Sequence, residues 1–329
     1  MNLKAPFLFL FCQLLELYHR FTQMLFGNPL DSLEPLGNLK KKATKTSWPP
    51  TNAVALITGG NTGLGKANAI ALAQAGFTVI ITSRSLKRAQ DAAKEITQEV
   101  PNSTAYGMKL DLCSFRNVKD FIREFTSRFP VLHILVNNAG GTYNEKVMTE
   151  DGLESTIQGN HISVQMLTVG LLPCLEKAEP SARVINLSSV AHLLPQTLHA
   201  DPAFSFKYFN SLAAYGLSKL YNVAFTMELR SRLKQKKSTI LTVSVHPGAV
   251  GSDFYRNLPG FVRIILNCFF KTPKVGARTQ IYLCLAPASK ITELYYMDCL
   301  PTSFSSFVTP QFSKELWKNT QKIVDKYYE

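Results

Sequence analysis

The chain has 329 residues, of which 46% are hydrophobic and 18% charged, and its 36 Lys and Arg against 23 Asp and Glu give a formal charge of +13. A chain of this length buries a substantial core, and without repeats or low-complexity tracts it falls outside the fibrous, solenoid and disordered classes. Its basic residues are scattered apart from Lys40, Lys41 and Lys42, with no aromatic-interleaved stripe, which argues against nucleic acid and for an anionic cofactor or an anionic membrane surface.

Residues 5–18, APFLFLFCQLLELY, are apolar except for Gln13 and Glu16, and Arg20 separates them from a second apolar patch at Met24, Leu25 and Phe26. The run falls short of the ~20 residues that cross a bilayer. Three readings stand: an uncleaved anchor or interfacial helix, a signal peptide without a small-residue cleavage site, and an apolar helix packed on the protein's own surface. Lys40, Lys41, Lys42 and Lys45, which would then lie on the cytoplasmic side, favour the first. Residues 28–51, with Pro29, Pro35, Pro49 and Pro50, read as a linker.

From residue 52 the chain alternates. Short apolar, β-branched runs at 53–58, 77–82, 105–110, 132–137, 183–187 and 239–245 read as strands, and helical spacing occupies 64–76, 86–100, 115–129, a stretch after Gly152, and 214–234. Continuous apolar strands that alternate with helices imply a parallel sheet covered on both faces. The expected α/β fold is a single Rossmann-type doubly wound sheet with its ligand crevice at the carboxyl ends of the strands. The organisation reads as an apolar segment 1–27, a linker 28–51, a domain 52–300 and a C-terminal extension 301–329.

The first strand ends in Thr58-Gly59-Gly60-Asn61-Thr62-Gly63-Leu64-Gly65 and runs straight into a helix. Glycine lets backbone turn tightly and approach a pyrophosphate, while the helix N-terminus offers free amides and a favourable dipole. The second strand ends near the place where an acidic residue would select NAD(H) through the ribose hydroxyl. This chain has Thr82-Ser83-Arg84-Ser85 there, and a guanidinium pairs with a 2′-phosphate, so Arg84 favours NADP(H) over NAD(H), with Lys66 as a helper.

Cys12, Cys113, Cys174, Cys268, Cys284 and Cys299 form no CxxC pair and read as reduced thiols of a cytosol-facing protein. His19, His133, His161, His192, His199 and His246 form no metal-ligand motif, so no metal is expected, and His161 and His192 read as structural or pocket-lining.

Across residues 52–250 the chain resembles the short-chain dehydrogenase/reductase family. The resemblance is carried by the TGxxxGxG turn, by Asp111-Leu112 after the third strand, by Asn137-Asn138-Ala139-Gly140 after the fourth, by Asn160, Ser189, Tyr215 and Lys219 in that order, and by His246-Pro247-Gly248. It implies cofactor contacts at Gly59, Asn61, Thr62, Gly63, Leu64, Gly65, Arg84, Asp111, Leu112, Asn138, Ala139, Gly140, Tyr215, Lys219, Pro247, Gly248 and Val250. It also implies hydride exchange between a nicotinamide and a carbonyl or alcohol, with Tyr215 as general acid or base, Ser189 rather than Ser188 holding the carbonyl oxygen, and Asn160 placing a proton-relaying water next to Lys219. Tyr215 and Lys219 stand four apart and share a helix face, where an adjacent ammonium and an oxidised nicotinamide both favour the phenolate.

Within the family, Asp151-Gly152-Leu153-Glu154, Ser188-Ser189-Val190-Ala191-His192 and Lys271-Thr272-Pro273 are similar to the membrane-associated retinol dehydrogenase-like group. That similarity implies an apolar substrate such as a retinoid, steroid or other lipid, an endoplasmic reticulum membrane with the catalytic domain facing the cytosol, and a homodimer. Residues 261–270, FVRIILNCFF, lie where the family places a substrate lid. Two departures, Ser163-Val164 after Asn160-His161 and Gly141 after the NNAG motif, are expected to bear on the pocket. A catalytically silent cofactor-binding scaffold and a reductase of non-retinoid carbonyls are the alternatives.

Overall fold

A strand buried on both faces needs partners on both edges and helices on both faces, and Val54–Ile57 (β1), buried from Ala55 to Ile57, has all four. The computed structural model describes residues 48–250 and 271–327, apart from residues 179, 181, 196, 205, 207 and 249. The expected membrane segment, most of the expected linker and the apolar run 261–270 lie outside the described residues.

Beside β1 the chain forms Thr78–Ser83 (β2), Ala105–Lys109 (β3), Ile134–Asn137 (β4), Arg183–Leu187 (β5) and Leu241–His246 (β6), the strands expected from the sequence. Two further strands, Tyr295–Met297 (β7) and Leu300–Pro301 (β8), extend one edge. The order is β3-β2-β1-β4-β5-β6-β7-β8, parallel except for the β7–β8 pair. The chain winds outward from β1 to β3, returns, and winds the other way from β4. The reversal leaves a crevice above the carboxyl ends of β1 and β4, which is the property of the expected doubly wound fold that matters most.

The helices are Gly63–Gln74 (α1), Leu86–Glu99 (α2), Phe115–Arg128 (α3), Ser163–Glu176 (α4), Ser211–Gln235 (α5), Arg278–Leu285 (α6) and Pro310–Asp325 (α7). The starts of α2, α3, α5 and α7 are written in side chains that accept orphan amides. Ser85 Oγ accepts from Arg88 N at 3.4 Å, Ser114 Oγ from Asn117 N at 3.3 Å, and Asn210 Oδ1 from both Leu212 N and Ala213 N at 3.0 Å. The Asn210 cap starts α5 three residues before the apolar spacing does.

Each face of the sheet carries its own core. One holds Leu72, Ala92, Ile96, Leu283 and Tyr296 from α1, α2, α6 and β7. The other holds Phe121, Phe125, Leu167, Leu220, Phe225, Leu316 and Trp317 from α3, α4, α5 and α7. The C-terminal segment is therefore built into the core: Trp317 of α7 stacks on Phe225 of α5 with centroids 5.4 Å apart. Among the described residues, Cys113, Cys174, Cys284 and Cys299 are free thiols, and no helix is long and apolar enough to cross a membrane.

Two buried histidines act as struts. His161 Nε2 meets Thr320 Oγ1 of α7 at 3.2 Å. His192 Nδ1 donates to Ser189 O at 2.6 Å while its Nε2 accepts from Ser305 N at 3.1 Å, an arrangement that requires the neutral ring. Burial drives His161 down to about 3 and His192 down to about 4. A folded pKa below the unfolded value means the unfolded chain binds more protons between the two. The stability they contribute is complete above pH ~6.5 and declines as the pH falls towards 4. Urea unfolding at pH 5 should thus show each histidine costing about 2 kcal/mol relative to pH 7.5. His192→Gln should shrink that pH difference, and a difference unchanged from wild type would remove His192 as a source.

Candidate active site

The carboxyl ends of β1 and β4 are joined by side chains. Asn138 Nδ2 donates to Thr58 O at 2.8 Å, Ala139 N donates to Thr58 Oγ1 at 2.9 Å, and Gly59 N donates to Thr82 Oγ1 of β2 at 3.3 Å. Glycine is required here by space: a Cβ on Gly65 would lie 2.5 Å from Gly59 O and 2.6 Å from Asn138 Nδ2. Gly59 itself sits at φ +63 with Ala139 Cα 3.1 Å from where its Cβ would be.

Asn61, Thr62, Gly63 and Leu64 complete the turn into α1. Thr62, at the N-cap, makes no capping bond with its side chain, and the first turn of α1 carries no acidic residue. An uncapped twelve-residue helix whose N-terminus opens at the switch point of the sheet suits an anion, and a nicotinamide dinucleotide's pyrophosphate fits that demand.

On the β2 side, Arg84 is exposed one residue beyond the strand. Burial raises the Cys113 thiol and the Tyr143 phenol, and the Arg84 guanidinium pulls both back. Arg84 thus faces the loop after β3, where Cys113 N donates to Asp111 Oδ1 at 3.0 Å and Ser163 Oγ donates to Leu112 O at 2.6 Å. Lys66 does not join Arg84; its ammonium pairs with Glu95 of α2.

The four polar residues singled out in sequence converge around Gly140 and Gly141. Asn160 stands in a π-helical turn, Gln158–Ile162, ahead of α4. Its Oδ1 accepts from Gly141 N at 2.9 Å, and its Nδ2 donates to Gly141 O at 2.8 Å and to Ser218 Oγ at 3.0 Å. A Cβ on Gly140 would lie 3.0 Å from Lys219 Nζ and 3.2 Å from Asn160 Oδ1, so glycine at 140 leaves the room in which these two groups approach.

Lys219 is buried, donates to Leu187 O at 3.2 Å and lies 5.5 Å from the Tyr215 ring centroid. Ser189 hydrogen-bonds Tyr215. Its neighbour Ser188 is turned inward and donates to Lys219 O at 2.8 Å, which separates the two serines geometrically.

Burial sets both pKa values. It pushes the Tyr215 phenol up to about 12 against the pull of the Ser189 hydrogen bond, and it pushes Lys219 down to about 8. The expected preference for the phenolate is therefore not a property of the protein alone. At neutral pH the phenol holds its proton, the form that donates to a carbonyl, and Lys219 keeps most of its charge.

A short chain dehydrogenase family model matches residues 53–260. The chain belongs to the short-chain dehydrogenase family. It is 37% identical over 249 residues to Retinol dehydrogenase 11 of Mus musculus, covering 75% of this chain and 78% of that one. It is 39% identical over 254 residues to Retinol dehydrogenase 12 of Bos taurus, covering 76% and 78%. The crystal structure of an uncharacterized protein from Mycobacterium paratuberculosis superposes with a TM-score of 0.66 at 25% identity, covering 84% of this chain and 94% of that one. This dehydrogenase is of the retinol dehydrogenase-like group and is an oxidoreductase of a carbonyl or alcohol.

The two departures from the group fall in different places. Ser163 and Val164 are both buried, Ser163 donating to the Leu112 carbonyl beside Asp111 and Val164 packing in the core. Gly141 does border Asn160, and a Cβ there would meet nothing within 4 Å. Pro247 and Gly248 follow β6, and Val250 bridges Lys271. Sequence reasoning missed Ser218 and the Leu187 carbonyl as partners of Asn160 and Lys219. Ser218 lies beside Lys219 in the quoted Ser218-Lys219 pair, but the carbonyl has no signature because any residue supplies one.

Proposed function

We propose that this dehydrogenase transfers a hydride between NADP(H) and an apolar carbonyl or alcohol of the retinoid, steroid or lipid class. The observation that carries the reading is the hydrogen bond between Ser189 and Tyr215 with Lys219 beside the ring.

When bound, the nicotinamide supplies or accepts the hydride. The residues supply the rest. Tyr215 donates its proton to the substrate oxygen in reduction and takes it back in oxidation. Ser189 Oγ holds the same oxygen as charge develops on it. Lys219 favours the deprotonated state of Tyr215 through its charge, and Asn160, tied to Gly141, holds the water through which Lys219 exchanges protons with solvent.

The apolar substrate class is supported by the retinol dehydrogenase relatives and by the segment that leads into α5. There His199 stacks on Phe204 with centroids 4.1 Å apart, Phe204 meets Phe206 tilted at 4.6 Å, and Phe206 meets Phe209 edge-on at 5.8 Å. The exposed Arg84 supports NADP(H), since no acidic residue stands at the end of β2. Residues 1–27 are proposed to hold the protein on the endoplasmic reticulum membrane with the domain facing the cytosol, and two copies to form a homodimer.

Purified protein should consume NADPH with at least one member of a panel of retinal, steroid ketones and medium-chain aldehydes. Tyr215→Phe should lower kcat about 10²- to 10⁴-fold while NADPH affinity stays within about threefold. Tight NADPH binding without turnover of any carbonyl would favour the silent scaffold instead. Arg84→Asp should weaken NADPH and strengthen NADH, about 10-fold or more in the ratio of their kcat/KM values; an unchanged ratio takes Arg84 out of cofactor selection. Deleting residues 1–27 should move the protein from the membrane pellet to the supernatant, and continued sedimentation would show that another surface holds it.

A further inference from the structure

Lys271 and Asp298 form an ion pair that has no part in the chemistry above. Their side chains are 13% and 10% exposed, so both charges have lost most of their water. A pair like this contributes little net stability, because desolvation offsets the attraction, and in some proteins such a pair serves to fix geometry. Asp298 and the next residue, Cys299, have φ of 51° and 63°, the left-handed region that non-glycine residues rarely enter. Such strain persists only where the surroundings overdetermine it. Here Cys299 N donates to Thr279 Oγ1 of α6 at 3.2 Å, which holds the β7–β8 turn with the Asp298 carboxylate on Lys271.

Lys271 is in turn built against the turn that follows β6. Its backbone bridges Val250 in parallel. Its stem lies along Gly248: a Cβ there would be 2.6 Å from Nζ, 2.9 Å from Cδ and 3.0 Å from Cε. Gly248 has φ +85, so only glycine accommodates both the conformation and the contact. Val250 is clamped from a third side, where a Cβ on Gly276 would meet its Cγ2 at 2.4 Å. The Pro247–Gly248 turn therefore rests on the lysine stem, and the stem is held by Asp298.

We propose that Lys271 and Asp298 are positioning residues: the pair fixes the Pro247–Gly248 turn and thereby sets where the nicotinamide ring lies relative to Tyr215, with little effect on how tightly the dinucleotide binds. This rests on the proposed NADP(H)-dependent reaction. It goes beyond that reading by assigning the alignment of the ring to charges outside the cleft.

The test compares wild type with Lys271→Met/Asp298→Asn, which removes both charges and so leaves no buried charge unpaired. Three measurements are made: thermal unfolding, NADPH affinity with the emission of the bound nicotinamide, and turnover with NADPH deuterated at the transferred position. The expected result is near wild-type unfolding, an NADPH Kd within about threefold, and an altered nicotinamide emission. With it should come a kcat about 10- to 100-fold lower and a larger deuterium isotope effect, as expected for a misplaced hydride donor. Wild-type emission and wild-type kcat in the double variant would overturn the proposal, and so would a loss of affinity with kcat unchanged.

Lys271→Arg, which keeps the charge, is the second variant should the neutral pair fail to fold. It should retain emission and turnover close to wild type. Loss of both in a folded Lys271→Arg protein that binds NADPH normally would overturn the proposal. Emission needs no substrate, so a wild-type protein that turns over nothing refutes the reaction while the emission comparison still decides the role of the pair.

Discussion

At the reversal of strand order β1 pairs with β4 through the backbone up to Thr58 N on Val136 O, and beyond that point side chains hold the two strand ends together. Thr58 and Asn138 do this, the first accepting from Ala139 N and the second donating to Thr58 O. The glycine turn and the Ala139–Gly141 segment take their positions from this seam. The glycine turn packs on Asn138, the Ala139–Gly141 segment continues from it, and Asn160 is fastened to Gly141 by two hydrogen bonds. The glycine turn and Asn160 are therefore linked through a continuous set of hydrogen bonds.

Beneath the cluster a buried polar ladder ties three strands to α5. Asn137 donates to Asn186 at 2.7 Å, Asn186 to Thr226 at 2.9 Å, and Thr226 meets Ser244 at 2.7 Å, so that β4, β5 and β6 are each linked through side chains. Asn222, one turn before Thr226, donates to Leu187 O at 3.0 Å, the same carbonyl that receives Lys219 Nζ. In a low-dielectric interior such bonds are individually strong and expensive to leave unmade. This ladder holds α5 at one height above the sheet, and that height decides where Tyr215 and Lys219 stand.

The energetic tension at the site comes from burial. Enclosure works against the charged form of both Tyr215 and Lys219, raising one pKa and lowering the other. The hydroxyl of Ser189 is what the fold supplies against this on the tyrosine side, and the Leu187 carbonyl accepts from the lysine. The proposed reaction exploits the protonated phenol as the starting point for reduction. A charge arriving beside it would be felt strongly, because little water is present to screen it.

Much of this was legible from residue order. Apolar β-branched runs alternating with amphipathic ones determined the six central strands and their parallel pairing, since strands buried on both faces admit no other partnership. The glycines at 59 and 65, the YxxxK spacing and the absence of an acidic residue after β2 are local facts, and local sterics and charge determine what they do. Tertiary structure decided the rest. Nothing in the pattern separated Ser188 from Ser189 physically; the pleat of β5 and the approach of α5 turned one to the lysine backbone and the other to Tyr215. Nothing local marked α7 as part of the core, because its partners lie on α5, about ninety residues earlier in the chain. Lys271 and Asp298 are 27 residues apart and meet only because β7 pairs with β6. Local conformation follows from each residue's own sterics, whereas contacts between distant residues exist only once the whole sheet has been assembled.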